Sequence, residues 1–343
     1  MSKKLQCLMA VAVIGLFFST LVPVSAQEAF YQGKTIRLIV SQSPGGGFDT
    51  YSRTIARHMF KHIAGKPTII VQNMPGAVNL IATNYLYNIA KPDGLTMGNF
   101  VGGVVLEQLL GRKGVEFDAR KFEWIGVPIK YHPVCVISKT SGITNADKWI
   151  LSKVAIKIGG TGPGSTSDQI PRILKATLGL PIQAVSGYKG TSDIRLAVES
   201  GEIDGACFAW QSIKATWRKA LDAGNVSVLL QVMPQPHPDL PNVPLAGNFA
   251  KTLEARNLLR AGVQDPASIT VPYSLPPGTP KERLQELRTA FQETLRDKEF
   301  LAEAEKAKLD IDPIAGDEVE RIVKGLFDLE STSAAKLREI LYK

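Results

Sequence analysis

Short runs of β-branched and apolar residues recur along this chain, and a segment of helical periodicity follows most of them. "TIRLIV", from Thr35, precedes a helix expected from about Phe48, and "TIIVQN" precedes one through "NLIATNYLYNIA". "TMGNF" leads into "VVLEQLLG", and "PVCVIS", "AIKIGG", "IQAVSG", "DGACFAW" and "VSVLLQV" continue the series. Strands that alternate with helices need crossover connections, so the pattern predicts an α/β protein with largely parallel sheets. No fixed-period repeat and no low-complexity stretch interrupts it.

The beat breaks twice. One break is "WIGVPIKYHP", Trp124 to Pro133; the other is "MPQPHPDLPNVP", Met233 to Pro244, where five prolines stiffen the backbone. Between them lies a unit of domain size. The part beyond the prolines holds one strand and two helices, "GTPKER" opening the first with Thr279 as N-cap and Pro280 at N1, and Asp317 capping the second. That is too little for a domain, so it is expected to return and complete the first unit. The expected division is residues 27–126 as the first part of lobe 1, 127–240 as lobe 2, and 241–343 as the completion of lobe 1, with a ligand cleft between lobes that close by hinge motion.

Residues 1–26 stand apart. Lys3 and Lys4 precede "LMAVAVIGLFF", and Val24 and Ala26 occupy positions −3 and −1 of a cut before Gln27. This reads as a secretory leader cleaved near Ala26, since the apolar run is short for a membrane span. The full chain carries 40 basic and 32 acidic residues; the leader holds two lysines and no acid, so 38 − 32 leaves about +6. The bases are scattered, with no aromatic-studded basic stripe, so no nucleic-acid partner is expected. Beyond the leader only Cys135 and Cys207 remain, in apolar strands. They are either two small buried hydrophobes or, in an exported protein, a bridge if their Cα atoms come within about 7 Å.

Two loops carry the candidate chemistry. In "SPGGGFDT" three glycines precede a helix whose stripe is Phe48, Tyr51, Ile55, Met59 and Ile63. Free helix-start amides, a positive dipole end and missing side chains suit a carboxylate or phosphate held by main chain. Asp49 reads as a helix cap or a contact. No Gly-Lys-Ser/Thr follows the glycines, which disfavours a P-loop. "GGTGPGSTSDQ" repeats the logic, with Thr161, Gly164 and Ser165 as candidates and Thr166 or Ser167 as caps; the acid that a dinucleotide fingerprint wants after the next strand is missing. Tyr188 and Lys189 stand in a Gly-flanked turn, and Asn99 ends "TMGN" as either an orienting amide or a turn residue. His58 and His62 are spaced i, i+4 without the HExxH glutamate or a third ligand nearby, so a solvated helix face is expected and no metal. No Gly-x-Ser-x-Gly elbow and no close carboxylate pair appear, so no enzyme is expected and no cofactor. An exported α/β enzyme or nucleotide-binding protein, and an interaction protein whose glycine loops are mere turns, are the alternatives.

With these residues in view, the chain resembles the periplasmic solute receptors of tripartite tricarboxylate transporters, the Bug-type family. The ordered set "YQGKTIRLIV", "PGGGFD", "NMPGAVN", "KPDGLTMGN", "FEWIG", "GGTGPGS", "GYKGTSD", "GEIDGACF", "LPNVP" and "PPGTPKE" carries the likeness over most of the chain. It implies a monomeric, two-lobed Venus-flytrap periplasmic binding protein that captures a small organic acid and delivers it to integral membrane transporter subunits. An orphan receptor used in sensing is the variant of that role. By this likeness the ligand-binding residues are Ser43, Gly45, Gly46, Gly47, Asp49, Asn99, Thr161, Gly164, Ser165, Tyr188 and Asp204. The chain departs from the family where Ser167-Asp168-Gln169 replace a frequent histidine, where Asn99 replaces a threonine, and across "AGNFAKTLEARNLLRAGVQDPASIT".

Overall fold

The computed structural model describes residues 29–162 and 165–342. The expected leader and Gly164 lie outside the described residues. Eleven strands among those described form two sheets. In chain order they are β1 (Thr35–Val40), β2 (Thr68–Asn73), β3 (Thr96–Asn99), β4 (Glu123–Val127), β5 (Pro133–Ser138), β6 (Ile156–Gly160), β7 (Ile182–Ser186), β8 (Gly205–Ala209), β9 (Val226–Gln231), β10 (Tyr273–Leu275) and β11 (Ile314–Ala315). The first sheet has the order β11-β4-β10-β3-β1-β2 and the second β7-β6-β8-β5-β9. The architecture is α/β and two-lobed.

The sheets are mixed, which corrects the expectation of largely parallel ones. Strands joined by a crossover helix do pair in parallel: β1 with β2 and β3, and β6 with β7 and β8. Strands that enter from the other sheet escape that rule. β5 arrives through the short link Pro128–His132 and runs antiparallel to β8 and β9. β10 returns after the proline segment and inserts antiparallel between β3 and β4.

β1 is covered on both sides, and Ile36, Leu38, Ile39 and Val40 are all essentially sealed from solvent. The helix Gly47–Met59 lays Tyr51, Ile55 and Met59 on this sheet, as its stripe requires, beside Leu284, Leu287 and Phe291 of the helix Lys281–Thr294. Burying one such side chain stabilises the fold by about 1.5–3 kcal/mol. That second helix starts one turn-residue later than expected. Its N-cap is Pro280, while the Thr279 hydroxyl donates to the Pro276 carbonyl inside the preceding turn. The helix Gly316–Phe327 likewise has Ala315, not Asp317, at its N-cap.

The returning chain serves both sheets. β10 and β11 join the first. The helices Leu253–Leu259 and Ser331–Tyr342 pack instead on the helix Thr166–Leu178 beside the second sheet. One apolar cluster therefore runs unbroken from Val105 and Trp124 through Ile173 and Leu174 to Leu258, Leu337 and Leu341. Cys135 and Cys207 face each other across β5 and β8 and form a disulfide.

A buried junction ties the crossings together. Gln231, fully buried, receives hydrogen bonds from His132 Nε2–H and the His237 amide at its Oε1, both 2.8 Å, and donates from Nε2 to the carbonyls of Leu240 and Val243. All four capacities of one side-chain amide are thus used.

Candidate functional site

Strand β1 ends at Val40 and the chain turns through Ser41–Gly46 into the Gly47–Met59 helix. Gly45 has φ +82°, a left-handed conformation that favours glycine. Its amide donates to Asp49 Oδ2 at 2.8 Å. Asp49 is only 3 % exposed and also accepts from Arg53 Nε and Asn73 Nδ2, each at 2.9 Å. Burial alone would raise this carboxyl, but the bonds from Arg53, Gly45 and Asn73 hold it below the usual carboxylate range. Asp49 therefore pins the loop.

Gly46 and Gly47 differ from Gly45. Gly46 has φ −81°, open to any residue, and a Cβ there would come no nearer than 3.7 Å to the Ser43 carbonyl. A Cβ on Gly47 would meet nothing. Neither backbone strain nor packing within the chain demands these two glycines.

The second loop has the same plan. β6 ends at Gly160 and the Thr166–Leu178 helix follows. Asp168, 2 % exposed, pairs with Arg172 at 3.0 Å and accepts from the Ser186 hydroxyl at the end of β7. Asp49 does the same with Arg53 and with Asn73 at the end of β2. Gly160 is required here, since a Cβ would lie 2.8 Å from Asp168 Oδ1. Ser165 is the N-cap but makes no side-chain cap bond; the expected capping role of Thr166 or Ser167 is not taken up. Ser167 instead accepts from the Thr161 amide at 3.1 Å, and its Oγ lies 3.2 Å from the hydroxyls of both Thr161 and Ser165.

Both loops open on one cavity of about 670 Å³, at the C-terminal ends of β1 and β6. From the first loop it is lined by Gln42 and Phe48, and from the second by Thr161, Ser165, Thr166, Ser167 and Gln169. Of the residues expected at the site, Thr161 and Ser165 lie in its wall. Ser43, Gly45, Gly46 and Gly47 stand exposed on the loop between Gln42 and Phe48. Asn99 is sealed beneath, donating to the Pro272 carbonyl at 3.0 Å, with its Oδ1 unpartnered. Tyr188 turns away and donates to Glu202 at 2.7 Å. Asp204 precedes β8, which runs parallel to β6, so it sits at the opposite end of the sheet from Thr161. There its carboxylate accepts from the Lys157 amide at 2.7 Å.

The cavity also gathers residues the sequence reading had not picked out as ligand contacts. Asn79, in a left-handed conformation, accepts from Ser41 at 2.9 Å and from Gln42, and shares the wall with Gln42. Glu107 and Arg112 pair at 3.2 Å, and the Tyr342 hydroxyl donates to Glu107 at 2.6 Å. Tyr131, Phe208 and Thr270 add walls from the crossing, β8 and the returning chain. Glu107 offered a signal: a lone acid in the apolar run "VVLEQLLG" needs a partner if the helix is buried.

His58 and His62 correct an expectation. They do not lie on a solvated face: His58 Nε2 donates to Glu303 at 2.7 Å and His62 contacts Asp297 at 3.2 Å. His58, Asp297 and Glu299 bring ligand-type atoms within 4.8 Å of one another. The Lys61 ammonium already lies 2.6 Å from Glu299 and 3.5 Å from Asp297, so the chain supplies its own cation there.

Residues 51–325 match the model of the TctC family, described as the tripartite tricarboxylate transporter family receptor. The chain belongs to this family. The receptor is similar in fold to a TctC solute-binding protein from Polaromonas solved with no ligand, at 18 % identity, covering 90 % of this chain and 98 % of that one with a TM-score of 0.70. It is similar to a Rhodopseudomonas palustris protein solved with adipate, at 20 % identity, 90 % and 98 % coverage and a TM-score of 0.63. MatC of R. palustris with bound malate matches at 18 % identity, 90 % and 99 % coverage and a TM-score of 0.60. At these identities the likeness speaks for the two-lobed fold of the receptor. The comparison with curated proteins found no match. No helix among the receptor's described residues is long and apolar enough to cross a membrane.

Proposed function

We propose that the receptor captures a small organic acid in the cavity between its two sheets, without altering it, and presents it to the membrane subunits of a tripartite tricarboxylate-type transporter. The observation that carries this reading is the convergence of two asparate-pinned strand-to-helix loops on one cavity walled by hydroxyls and side-chain amides. Helix-start amides beside it suit a carboxylate. Malate and adipate in two similarly folded proteins agree with that chemistry. In this reading residues 1–26 are a leader cleaved on export to the periplasm, and the working protein is a monomer of two lobes: residues 27–126 with most of 241–343, and residues 127–240. Gly46 and Gly47, free of any folding demand, are assigned to the guest's approach, with Ser43, Gly164, Thr161 and Ser165 around it.

A thermal-shift screen of mono-, di- and tricarboxylates tests the reading. A bound acid at a hundredfold over its Kd stabilises the protein by about 2.7 kcal/mol. Unmoved midpoints across a broad organic-acid library would refute it.

A further inference from the structure

The walls of the cavity narrow the kind of acid, on the reading that it holds an organic acid at all. Among the described residues that line it, the charged side chains are Glu107 and Arg112. They neutralise each other at 3.2 Å, and Glu107 is held again by the Tyr342 hydroxyl. Pro163 and Gly164, the remaining residues of the second loop, carry no charge. No uncompensated cation therefore faces a guest from these walls. The polar groups are neutral: the hydroxyls of Thr161, Ser165 and Ser167 stand at a helix end worth about half a positive charge, and the side-chain amides of Gln42 and Gln169 and the hydroxyl of Thr270 lie elsewhere in the wall. One carboxylate matches that supply. A second or third would give up its water for neutral partners, which disfavours the charged form strongly.

The wall also carries apolar side chains, and these come from three directions. Phe48 and Val104 belong to the first lobe, Ile170 and Phe208 flank the second sheet, and Val263 lies in the returning chain. A volume of about 670 Å³ falls within the range of sites that enclose ligands well beyond a compact four-carbon acid. We propose that the receptor selects acids bearing a single carboxylate on an apolar body, a ring or an alkyl chain, over compact acids with two or three carboxylates.

Isothermal titration of the purified protein with phenylacetate and hexanoate, against malate and citrate at one ionic strength, tests this. The expected result is a Kd at least tenfold lower for the better monocarboxylate than for either polyacid. Malate or citrate binding as tightly overturns the proposal and leaves the organic-acid reading intact; silence from all four and from the wider library overturns both. A Gln169→Lys variant adds the missing cation on a half-buried cavity residue, away from the core. It should raise affinity for citrate relative to phenylacetate at least fivefold, and an unmoved ratio would overturn the charge argument.

Discussion

Two aspartates set the geometry of the candidate site without lining it. Asp49 and Asp168 each stand near a helix start, each pair with an arginine four residues on, and each take a bond from the end of the neighbouring strand. The Gly46→Val variant separates fold from function at this scale. Its backbone accepts valine and its surroundings are open, so stability should stay within about 0.5 kcal/mol of the parent. Affinity for an acid identified by the screen should fall at least tenfold, checked by titration beside a denaturant melt; a variant that binds as before would move the guest elsewhere. The loop that carries Thr161 and Ser165 was legible because any residue after a buried strand and before a helix lies at the sheet's C-terminal edge. Asp204 was named from the family likeness alone, and the parallel pairing of β8 with β6 puts a residue before β8 at the far edge of the sheet. Asn79 and Glu107 were obscured for another reason. Their hydrogen-bond partners, Ser41 and Tyr342, are 38 and 235 residues away.

At the scale of elements, local pattern carried far and pairing direction did not. The stripe Tyr51, Ile55, Met59 and Ile63 packs as its spacing dictates. Helix starts shifted by a residue or two, since Thr279 found a closer carbonyl in its own turn. Whether a strand pairs in parallel depends on where the preceding chain came from, which periodicity does not record. The disulfide belongs here as well, since it clamps β5 to β8 across a separation of 72 residues. Replacing both cysteines by alanine should cost about 2–5 kcal/mol in urea unfolding, with the acid-binding cavity unaffected. Equal stability of the double variant and the parent would show that strand pairing alone holds this edge.

At the scale of the molecule, the crossings decide how the lobes relate. Burial pushes His132 down to about 4, against the pull of its Gln231 hydrogen bond, with His237 and Lys130 also lowering it and Asp312 raising it. The unfolded imidazole titrates near 6.5. Between those values the unfolded chain holds the extra proton, so stability falls as pH drops from about 6.5 to 4 and this contribution levels off below. Urea unfolding at pH 7, 5.5 and 4.5 should show the advantage of the parent over His132→Gln shrinking across that window; a constant gap would contradict the assignment. Gln231→Leu keeps the volume but strands the His132 and His237 donors, for an expected loss of about 2 kcal/mol or more. The same amide that satisfies those donors acts as a rivet where the outgoing and incoming strands meet. A riveted joint lets two plates swing but not slide, so opening and closing of the halves should be a turn about this spot, with the register of one half against the other unchanged.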